Sequence, residues 1–142
     1  PPRSTLFPYT TLFRSPEAVH TALADAVLDH QWSSSAAARL LFMVLDAPPH
    51  YESGIISSIQ GSVAAAAEKG ISIIPVASSG VDKSTEFLLR FIDIATGGTY
   101  VFLTNDSGIG GDHIEPTVGD YEVEYLNDLL VRLVTEAVNG EG

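Results

Sequence analysis

The chain has 142 residues, of which 45% are hydrophobic and 18% charged, and this fits one ordinary domain with a real core and excludes a disordered tail. It contains no cysteine, which excludes disulfides, thiolate metal sites and a cysteine nucleophile. A net charge of −11 argues against nucleic acid or an anionic lipid surface as the main partner, and no apolar run approaches the ~18 residues a membrane-spanning helix needs.

Residues 1–15 have neither helical nor strand periodicity and lack the apolar centre of a targeting peptide. They resemble, codon by codon, one reading frame of a common short-read sequencing adapter. They are therefore read as a non-native segment, with the biological sequence starting at Pro16 and its upstream part missing. Over residues 16–142 eighteen carboxylates face five bases, so the remaining chain is more acidic still.

From Pro16 to His30, Val19, Leu23, Ala26 and Val27 recur at three-and-four spacing and predict a helix. The continuous apolar run from Arg39 to Leu45 predicts a strand covered on both faces, ending at Asp46. Ala47-Pro-Pro-His-Tyr51 is a loop, because adjacent prolines remove two backbone donors. Ile55, Ile56, Ile59, Val63, Ala66 and Ala67 predict a second helix, stopped by Gly70 in a left-handed cap. Residues 71–77 predict a second strand, in which Pro75 denies one ladder hydrogen bond. Asp82 then caps a helix whose core face carries Phe87, Leu88, Phe91, Ile92 and Ala95, with a Glu86–Arg90 ion pair, and Gly97-Gly98 ends it. Residues 99–104 predict a third strand, followed by a Gly-rich loop over 105–119. A closing helix carries Tyr125, Leu126, Leu129, Leu130, Leu133, Val134 and Ala137. Such alternation implies an α/β fold: a parallel sheet with right-handed crossovers and helices on both faces. Three strands and four helices make half of a doubly wound domain.

In such a sheet ligands bind beyond the carboxyl ends of the strands. The first strand releases Asp46 and His50 there, the second Ser78, Ser79 and Asp82. The third releases Thr104, Asn105, Asp106 and Ser107, then Asp112, His113 and Glu115. This oxygen-rich, thiol-free set suits magnesium, manganese or calcium. Asp46 is the leading metal candidate, since a carboxylate directly ending a buried strand has no packing role. The competing reading is that it caps the Pro-Pro turn. Gly108-Ile-Gly-Gly111 lacks the spacing and helix start of a dinucleotide loop, and no P-loop lysine or Gly-x-Ser-x-Gly elbow is present. The seven acids between Thr104 and Asp128, with no base among them, read as a solvated face that attracts cations or basic partners.

Leu41-Phe-Met-Val-Leu-Asp-Ala-Pro-Pro-His50, Gly70-Ile-Ser-Ile-Ile-Pro-Val-Ala-Ser-Ser-Gly80, Thr85-Glu-Phe-Leu-Leu-Arg90 and Thr96-Gly-Gly-Thr-Tyr-Val-Phe-Leu-Thr104 together resemble bacterial proteins with a von Willebrand factor type A domain. The resemblance implies a Rossmann-like sheet in strand order 3-2-1-4-5-6, of which residues 16–142 keep the last three strands. It also implies a metal ion-dependent adhesion site at the carboxyl edge, binding Mg2+, Mn2+ or Ca2+ in the intact parent. That site draws on an Asp-x-Ser-x-Ser motif after the first strand, a threonine or acidic loop residue, and an aspartate after the fourth strand. Among these, the aspartate alone maps onto this chain, at Asp46, where Asp46-Ala-Pro-Pro replaces the commoner Asp-Gly. The implied function is a non-catalytic interaction domain gripping a protein partner, with the site mostly lost in this fragment and the compartment open, an extracytoplasmic bacterial setting being one reading. The truncation leaves 39–45 as an open hydrophobic edge, so residues 16–142 alone are expected to be largely insoluble or molten. The rival reading is a metal-dependent hydrolase with Asp46 as ligand and His50 or His113 as general base.

Overall fold

Burial of one apolar stripe per helix against a parallel sheet organises residues 18–78, 81–103 and 124–140, which the computed structural model describes. The segment read as adapter-derived, the Gly-rich loop over 105–119, and Ser79 lie outside these residues. The first helix, α1, runs Val19–Ala24 and widens into a π-helical turn over Asp25–Asp29, where the spacing predicted an uninterrupted α-helix. Val19, Leu23 and Val27 form its buried stripe. The Trp32 indole N–H donates to the Ala26 carbonyl (2.8 Å) and Lys69 Nζ to the Val27 carbonyl (2.6 Å). Two side chains from outside the helix thus satisfy carbonyls at its irregular end.

The first strand, β1 (Leu40–Leu45), leads through the proline loop into α2 (Ser53–Glu68), then β2 (Ser72–Ala77), α3 (Lys83–Thr96), β3 (Val101–Phe102) and α4 (Leu126–Asn139). Gly70, at φ 63, ends α2 in the left-handed conformation and donates to the Ala67 carbonyl, while Ile71 donates to that of Ala66. The three strands are parallel in the order β1-β2-β3, so among the described residues β1 is an outer strand.

Backbone polarity alternates along β2 and explains its pairing. Ser72 and Ser78 donate to the carbonyls of Arg39 and Leu45, so the even positions of β2 face β1. Ile73, Pro75 and Ala77 therefore face β3. The donor that Pro75 lacks falls on that side, leaving the β1 ladder intact from Leu40 to Leu45. Ile73 N–H is taken by Thr96 Oγ1 (3.0 Å), and β3 pairs at Val76↔Val101 and Ala77↔Phe102, with Leu103 N–H closing onto the Ala77 carbonyl. Hence β3 is shorter than the strand expected over 99–104.

Two apolar layers flank the sheet. Leu45, Ile71, Ile73 and Ala77 pack with Leu23 and Val27 of α1, Ile59 and Val63 of α2, and Leu89 and Ile92 of α3. Ile74, Val76 and Val101 pack with Leu133 of α4, and Leu40, Phe42, Leu126 and Leu129 lean against them. Successive crossovers in one sense keep α2 and α3 on one face and leave the other to α4. The sheet is thus a three-stranded parallel α/β core with helices on both sides.

The expected core face of α3 needs correction. Thr85, Glu86, Leu89 and Ile92 are buried, whereas Phe87 is 77% and Ile94 80% exposed. Glu86 can be buried because Arg90 meets it at 3.1 Å, the predicted i,i+4 pair, while the Arg90 guanidinium lies 4.6 Å over the ring of Tyr100. Burial, with the Glu86 charge adding to it, pushes the Tyr100 phenol up to about 12.

Candidate functional site

The carboxyl ends of β1 and β2 converge where the parallel sheet predicts a site. Asp46 follows Leu45, which is buried, and is itself exposed, with Ala47 turned inward immediately after it. It therefore stands at the rim as a carboxylate open to solvent. His50 is exposed too, on the far side of the two prolines. Ser78, after β2, is tied down: its hydroxyl donates to the Leu45 carbonyl at 3.0 Å and its amide to the same oxygen at 2.9 Å. Rather than offering a free ligand, it fastens the two strand ends together.

Asp82 is also committed. Its Oδ1 accepts from the Thr85 amide (2.8 Å) and the Thr85 hydroxyl (2.7 Å), capping α3 as predicted. Because the single Thr85 hydroxyl proton goes to this carboxylate, the 2.6 Å contact between Tyr51 and Thr85 Oγ1 is a bond donated by the phenol. A relay thus runs from Tyr51 through Thr85 to Asp82. It pins the loop after β1 to the start of α3. The Thr85 hydroxyl, with the Thr85 amide, holds the Asp82 carboxyl below its ordinary range, and burial pushes the Tyr51 phenol up.

Sequence reasoning placed Asp82 correctly but missed Tyr51 and Thr85. The available signal was an aspartate cap followed three residues later by a threonine able to return a second bond. Thr104, Asn105, Asp106, Ser107, Asp112, His113 and Glu115 lie outside the described residues. Among the described residues, no three of His, Asp and Glu come together as a metal-holding group. Within the acidic run of 104–128, Glu124 pairs with Arg132, which also meets Glu136 at 3.1 Å. Among the described residues no helix is long and apolar enough to cross a membrane.

The cap carries its own test. The ionised Asp82 carboxylate contributes stability that is fully present above its unfolded value near 3.9 and is lost as pH falls through the lowered folded value. Asp82→Ala is expected to cost ~1 kcal/mol at neutral pH, the usual loss for an N-cap. Urea denaturation of both proteins across the acid range should show this difference constant at and above about pH 5 and shrinking below about pH 4.

Comparison of the chain with protein-family models, with curated proteins and with solved structures finds no match.

Proposed function

We propose that the chain carries the carboxyl-terminal half of a non-catalytic interaction domain of the von Willebrand factor type A kind, whose intact parent grips a protein partner through a divalent cation. The observation that carries this reading is Asp46, an exposed carboxylate emerging directly from buried Leu45 at the carboxyl end of a parallel strand. Open parallel sheets present their ligands at that edge. The strand order β1-β2-β3 agrees with strands four to six of the order 3-2-1-4-5-6.

The described residues do not fit a cation on their own. Ser78 Oγ and Asp82 Oδ1 are engaged internally, and Asp46 with what remains falls well short of the ~6 oxygen ligands of a magnesium shell. In this reading the remaining ligands sit on the upstream Asp-x-Ser-x-Ser strand, and the present chain binds Mn2+ or Mg2+ poorly.

Sequencing the locus free of adapter, then titrating the reconstructed parent with Mn2+ by calorimetry, tests the proposal. The upstream motif should be present, and Asp46→Ala should weaken Mn2+ binding at least ~10-fold, the scale of losses around metal shells. An upstream sequence without that motif, or a variant binding Mn2+ as the parent does, overturns it.

A further inference from the structure

We draw no further inference here: the strongest candidate, the apolar groove between α2 and α3 lined by Tyr51, Lys83, Phe87 and Phe91, is an exposed face, and nothing in the structure shows what covers it.

Discussion

Gly98→Ala is expected to destabilise the fold by ~3 kcal/mol or more, the upper end of what overpacking a filled site costs. An ideal Cβ at Gly98 would stand 1.8 Å from the Ile73 carbonyl oxygen and 2.7 Å from its carbon. Those atoms are backbone in the middle strand, which β1 and β3 hold from both sides. They cannot swing away as a side-chain tip would, so the segment after α3 must retreat from β2 as a unit. Retreat would also stretch the bond from Ile73 N–H to Thr96 Oγ1, the group that satisfies β2 where β3 does not yet reach. The neighbouring glycine provides the comparison. Gly97, at φ 64, needs the left-handed conformation but has open space around its Cβ position. Gly97→Ala should therefore cost only the local strain of about 1–2 kcal/mol. Chemical denaturation of the two variants should rank Gly98→Ala as the more damaging; the reverse order would show that this turn does not press against Ile73.

That pair also shows where sequence reading stops. Gly97-Gly98 was legible as a helix end because glycine tolerates the left-handed cap, yet nothing local distinguishes the residue that turns the chain from the one that lies on a strand. Strand existence was legible at 39–45 and 71–77, where the apolar runs are long enough to be unambiguous. The length of β3 was not, because it depends on which neighbour the Pro75 position faces, and that is fixed by register with β1. At the candidate site, the place of Asp46 directly after the first strand was legible, but its exposure was not, since the strand expected to be covered on both faces buries only Leu45 and leaves Val44 67% exposed. The relay from Tyr51 to Asp82 was not legible either, since it joins a loop after β1 to a helix more than thirty residues later through a hydroxyl whose partners are set by tertiary packing.

Leu89→Ala is expected to cost about 2–5 kcal/mol, while Phe87→Ala, two positions earlier on the same helix, should stay within ~0.5 kcal/mol of the parent. Periodicity alone does not decide the ranking: α3 carries Phe87, Phe91 and Ile94 along one stripe, at spacings as regular as those of Thr85, Leu89 and Ile92 along the other. What decides between the stripes is the pairing chemistry at the start of the helix. Thr85 must face inward to bridge Tyr51 and Asp82, and Glu86 is only 7% exposed because Arg90 and Tyr100 lie beside it. Those contacts fix the rotation of α3, which sends Leu89 and Ile92 to full burial against Ile73 and Ala77 and leaves Phe87 77% exposed. Truncating Leu89 leaves a cavity among side chains that the sheet holds in place; truncating Phe87 removes a ring that water already surrounds. Urea denaturation of both variants measures the contrast. Equal losses at the two positions would mean that α3 presents its aromatic stripe to the sheet in solution, and that the Thr85 and Glu86 contacts do not set its orientation.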